Sequence, residues 1–165
     1  MATRQVPFYG DTSAVLLLAL IQETPVAPVR LNLNTEIQEK WNPTTRAAIE
    51  LQRGNFEGAV KFLQPLERFE IYTPYISYLR GRAYLGLKAG NEAAVEFQKV
   101  IDRPGLYPLS VSRALAHLGL ARAYALAGDS PKAKTAYQDF FAIWRDADAD
   151  DPILKQARTE YGKLQ

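Results

Sequence analysis

His117 is the only histidine in the chain, so any His-dependent catalytic triad has to use it. Its helical neighbours are Arg113, Ala114, Gly119 and Ala121, and no Ser–His–Asp order assembles around it. Gly128-Asp129-Ser130 has the residue types of a serine-hydrolase motif. Ser130, however, precedes Pro131 at a helix start, where a hydroxyl is better used to cap backbone N–H groups. Asp11-Thr12-Ser13 has the types of an aspartic-protease motif, but a second copy and a β-rich body are missing. Asp146, Asp148, Asp150 and Asp151 alternate like the start of a calcium loop. The sixth and twelfth positions, which should be Gly and Glu, are Asp151 and Ala157. Asp150 or Asp151 instead suits the N-cap of a last helix. With no cysteine there is no disulfide, thiolate zinc site or Cys nucleophile. The expectation is a protein without catalytic residues, metal or cofactor. A hydrolase using Ser or Asp with His117 is the enzymatic alternative.

The composition fits a foldable chain: 165 residues, 47% hydrophobic, 23% charged, formal charge +2. That charge is too small to argue for nucleic acid by itself, although Arg and Tyr could stack single strands. Ala14–Ile21 is the longest apolar run, far short of the roughly 20 residues a membrane span needs. A signal peptide is disfavoured because Pro7 and Asp11 separate Arg4 from that run and no cleavage pattern follows. The expected location is the cytoplasm. Residues 1–33 are read as an N-terminal segment ending in the extended linker PVAPVR (25–30).

The elements that must position any site are helices. The 3.6-residue periodicity predicts seven, near 36–53, 56–69, 74–88, 91–102, 108–127, 131–146 and 152–163. Asn42-Pro43, Thr73-Pro74, Ser130-Pro131 and Asp151-Pro152 each set a capping side chain before a proline. Gly-Asn at 54–55, Gly-Asn at 90–91 and Gly-Asp at 128–129 are read as stop-and-start turns, the glycine taking the left-handed conformation. After each turn comes a small residue, Ala59, Ala93 or Ala133, and four residues later a bulky one, Leu63, Phe97 or Tyr137. The spacings are 34 and 40 residues, the extra six falling in RPGLYPLS (103–110). A helix–turn–helix period of 34 is the tetratricopeptide signature. The third unit carries Leu120, Ala121, Tyr124, Gly128, Ala133 and Tyr137 and the second Gly81, Tyr84, Ala93 and Phe97; the first is degenerate, with Ala47 and Glu50 at the small and aromatic positions. The expected fold is all-α, a right-handed solenoid of about three helix pairs (units near 41–73, 74–107 and 114–147) with a capping helix at 152–163, together a 34–165 array. Tyr84 and Tyr124 are then packing residues.

ALAHLGLARAYALAGDSPKAKTAYQDFFAIWRDADADDPILKQARTEYGKLQ (114–165) resembles the C-terminal tetratricopeptide region of acidobacterial-type serine/threonine protein kinases and related winged-helix regulators. WNPTTRAAIELQRGNFEGAV (41–60) and YLRGRAYLGLKAGNEAAVEFQKVIDRPG (78–105) fit the same region. The kinase motifs themselves are absent: there is no Gly-rich loop, VAIK-type lysine, HRD or DFG. The resemblance implies a protein–protein interaction module of a bacterial signalling protein. It also implies an inner groove lined by the leading helix of each pair. In this register the groove residues are Trp41 and Thr44, then Tyr75, Tyr78, Arg82 and Leu85, then Leu115, Leu118, Arg122 and Leu126. Aromatic faces beside fixed cations suit a peptide or helix with acidic and apolar side chains. The competing reading packs these residues against neighbouring helices or pairs them as surface ions. The Asn and Lys ladder of the chaperone-tail carboxylate clamp is absent. Homodimerisation, through the end faces or Ala14–Ile21, is the other partner expectation.

Overall fold

A computed structural model describes residues 37–103 and 111–164. Among them the chain is all helix and turn, with no strand. A π-helical turn, Ile37–Trp41, leads into α1 (Asn42–Arg53) and α2 (Phe56–Leu63), and a 3₁₀ stretch, Gln64–Phe69, follows. Then come α3 (Tyr75–Gly86), α4 (Gly90–Ile101), α5 (Val111–Leu126), α6 (Ser130–Ile143) and α7 (Pro152–Gly162). The readings placed on 1–33, including the apolar run, the proline linker and Asp11-Thr12-Ser13, lie outside the described residues, as does most of the 103–110 connection.

The helix ends differ in part from the expected punctuation. Pro65 cannot continue α2, because its ring removes an N–H donor, and the expected helix over 56–69 tightens to 3₁₀ from Gln64. Asn55 caps α2 as expected, accepting from the Gly58 N–H at 3.1 Å. Asp151 caps α7, accepting from the N–H groups of Ile153 and Leu154. Before α6 the cap is Asp129 rather than Ser130, which is the helix's first residue; Asp129 accepts from the Lys132 N–H at 3.2 Å. Asn42 and Thr73 do not cap. Asn42 is already helical and donates to Gln38, while α3 opens behind Pro74 with no side-chain cap.

Gly54 (φ 77°) and Gly128 (φ 80°) take the left-handed turn. Gly90 does not: in that turn Lys88 adopts φ 59°, and Gly90 begins α4. Gly90 serves close approach instead, because a Cβ there would lie 2.8 Å from the Ala123 carbonyl and the Ala127 nitrogen of α5.

Each helix packs on the next, and the leading helices α1, α3 and α5 also touch in succession. The core has two parts meeting at α3. One joins Ala47, Leu51, Ala59, Leu63 and Leu66 with Ile76, Leu79 and Ala83. The other runs from Ala93 and Phe97 through Ala121, Tyr137 and Phe140 to Leu154 and Ala157. Tyr78 packs against both. Phe97 of α4 fills the space between α3 and α5: a Cβ on Gly81 would lie 2.9 Å from its ring, and one on Gly119 only 2.5 Å. Gly81 and Gly119 thus admit one large ring between α3 and α5. Tyr84 and Tyr124 are half-buried packing residues of this second cluster.

Candidate functional site

The residues assigned to the groove divide into three groups. Tyr75, Tyr78 and Arg82 form one strip along α3. The two rings stack with centroids 6.0 Å apart, and the Arg82 guanidinium lies 6.0 Å from the Tyr78 ring. Tyr78 also meets Phe97 edge-on, so the strip is fixed from behind by the core. All three are half-buried, leaving one side to solvent. Each is spaced three or four residues from the last, which is why one helix face presents them together.

The second group turns elsewhere. Thr44 is buried and donates from its Oγ1 to the Lys40 carbonyl at 2.6 Å, a bond back to the preceding π-helical turn. Leu118 is 2% exposed and belongs to the core. Helix α5 is covered by α3, α4 and α6, so little of its circumference stays free. Leu85 and Leu115 are half-buried, and Leu126 is exposed at the end of α5. Trp41 is 39% exposed but stands with the Lys40 ammonium 4.9 Å from its ring and the same ammonium 5.7 Å from Phe69.

Arg122 makes the third group. Its Nε donates to Glu160 Oε2 at 2.8 Å and its Nη2 to Oε1 at 3.1 Å, a two-point ion pair with α7. The Tyr137 hydroxyl donates to the same carboxylate at 2.9 Å, and Gln156 Nε2 donates at 2.9 Å. Burial pushes the Glu160 carboxyl up, but the hydrogen bonds and charge of Arg122, with Tyr137 and Gln156, more than offset it and hold it below the ordinary 4.5. Burial and Glu160 raise the Tyr137 phenol well above its usual range. Residue order carries no direct sign of this pair, since 38 residues separate the partners.

Sequence reasoning also missed a buried charge cluster. The Arg80 guanidinium pairs closely with Glu70 and lies 3.7 Å from Glu96; Lys99 lies 2.7 Å from Glu96 and 3.6 Å from Glu70. Glu70, Arg80 and Glu96 are each under 10% exposed. Ser77 Oγ, Arg80 Nε and Glu96 Oε2 are buried without a hydrogen-bond partner. A signal existed: Arg80 stands 40 residues before Leu120, and Glu96 the same distance before Ala136, so this helix pair carries charges where the next has apolar groups.

His117 is half-buried on α5. Burial pushes its pKa below the ordinary 6.5, Asp139 opposes that, and Arg113 adds to it. The acidic run is divided among separate tasks: Asp146 pairs with Arg145, Asp150 with Lys155, and Asp151 caps α7. No helix among the described residues is long and apolar enough to cross a membrane. No family model matches the chain, and no curated protein is significantly similar to it.

Proposed function

We propose that the chain is a tetratricopeptide-type helical-repeat module that binds an acidic, partly apolar peptide or helix without doing covalent chemistry, as part of or derived from a bacterial signalling protein. The observation that carries this reading is the α3 strip. Two stacked tyrosines and a guanidinium lie on one half-exposed face whose other side is held by Phe97. Rigid aromatic faces cost little entropy on binding, and Arg offers fixed donors to a carboxylate. The succession of short-turn helix pairs whose leading helices touch is the arrangement such an array requires.

The test is fluorescence anisotropy with the labelled peptide LEEYLEEYLEEY and its Lys-for-Glu counterpart. The acidic peptide is expected to bind, with roughly tenfold loss for Arg82→Glu or Tyr78→Ala. Equal binding of both peptides, or binding unchanged in Arg82→Glu, overturns the assignment.

A further inference from the structure

The third-unit arginine of the groove is already satisfied, and by the chain itself. Glu160 reaches Arg122 at two points and takes a further hydrogen bond from Tyr137. We propose that α7 is an internal competitor, a C-terminal strap whose Glu160 occupies Arg122 until an acidic partner takes its place. This inference rests on the acidic-ligand reading of the groove.

Three further observations support a strap that can be exchanged. First, α7 is lightly embedded in the stack: it buries Leu154 and Ala157, as few as α2, whereas α6 buries four residues and α5 six. Second, the connection to it is longer than the turns inside the three pairs. Those span 54–55, 87–89 and 127–129, whereas this one runs from 144 to 151, and Arg145–Asp150 are all exposed. Third, the chemistry offered by α7 is that of the ligand inferred for the groove. It presents a carboxylate on a helix, with Tyr161 edge-on to Tyr137 and Phe141. Arg122 and Glu160 keep 32% and 25% of their side-chain surface, so water and a competing carboxylate can reach the pair.

The experiment uses the full chain and LEEYLEEYLEEY as probe. Glu160→Gln keeps the size of the side chain and an acceptor for Tyr137 but removes the charge facing Arg122. It is expected to bind the probe about five- to tenfold tighter than the unaltered chain, with faster amide exchange confined to α7. Arg122→Glu combined with Glu160→Arg restores a pair of opposite sense and is expected to remove that gain. If the unaltered chain and Glu160→Gln bind equally while Arg82→Glu abolishes binding, the groove stands and the strap falls. If none of the variants binds the probe, the groove reading itself falls and takes the strap with it. A purely structural pair would lower the melting temperature in Glu160→Gln and leave affinity unmoved, which also overturns the proposal.

Discussion

The second helix pair, α3 and α4, and the third, α5 and α6, solve the same packing problem differently. At matching positions the second pair carries Arg80 and Glu96, and the third carries Leu120 and Ala136. The apolar version needs only close packing. The charged version needs a third participant, Glu70, brought in from the segment after the first pair. Desolvating such ions costs about as much as their attraction returns, so the cluster is poor evidence of extra stability. What it supplies is dependence on context: the Arg80–Glu70 pair forms only when the first pair's trailing segment is docked against α3 and α4. Matching positions can thus be a plain core site in one helix pair and a joint in the other.

The strongest way to break this comparison is to remove one member of the cluster. Arg80→Ala leaves Glu70 and Glu96 buried without their main cation and is expected to cost roughly 3–5 kcal/mol in urea unfolding. Arg80→Leu with Glu70→Gln and Glu96→Ala imports the third pair's solution and should recover most of that loss. A triple variant as unstable as Arg80→Ala would show that the two pairs are not interchangeable there.

Next comes the ring that the two pairs share. Gly119→Ala forces a methyl toward Phe97 and should destabilise by about 1–3 kcal/mol. Gly81→Ala, whose Cβ would sit 2.9 Å away rather than 2.5 Å, should cost less. Phe97→Leu is expected to suppress both penalties, which thermal melts of the double variants would reveal.

The turns give a smaller contrast. Lys88 holds a left-handed φ of 59° where the third pair has Gly128. Lys88→Gly is expected to stabilise by roughly 0.5–1 kcal/mol and Gly128→Ala to destabilise by about 1 kcal/mol, both read from denaturation midpoints. The same sign for the two changes would refute the backbone explanation.

The smallest effects are titrations confined to the third pair and its strap. Glu160 has a folded pKa below 4.5, so its stabilisation is complete above that value and lost as pH falls through the lower folded value. Water screens the pair, so the contribution is at most about 1 kcal/mol, and Glu160→Gln should flatten stability in that acid range. His117 has a folded pKa below 6.5, so the unfolded chain takes up its proton first and stability declines as pH drops below 6.5. His117→Gln should remove that decline while leaving the Glu160 window intact.

Some of this was legible from residue order alone. Seven helical segments and the small-then-large pattern at Ala93 and Phe97 or Ala133 and Tyr137 follow from local periodicity, because helix formation and pair packing leave marks within a few residues. The α3 strip of Tyr75, Tyr78 and Arg82 was readable for the same reason: its members lie within two turns of one helix. The caps were half legible, since Asp129 and Ser130 compete for one role and only backbone geometry chooses between them.

Tertiary structure alone decided the rest. It placed Leu118 in the core rather than a groove, because three helices close around α5. It gave Arg122 a partner 38 residues away, and it gathered Glu70, Arg80, Glu96 and Lys99 from three segments into one buried group. The sequence by itself determined which helices form and which of their faces are apolar, because those depend on neighbours along the chain. Which charges meet, and which are kept from water, depends on how distant helices stack.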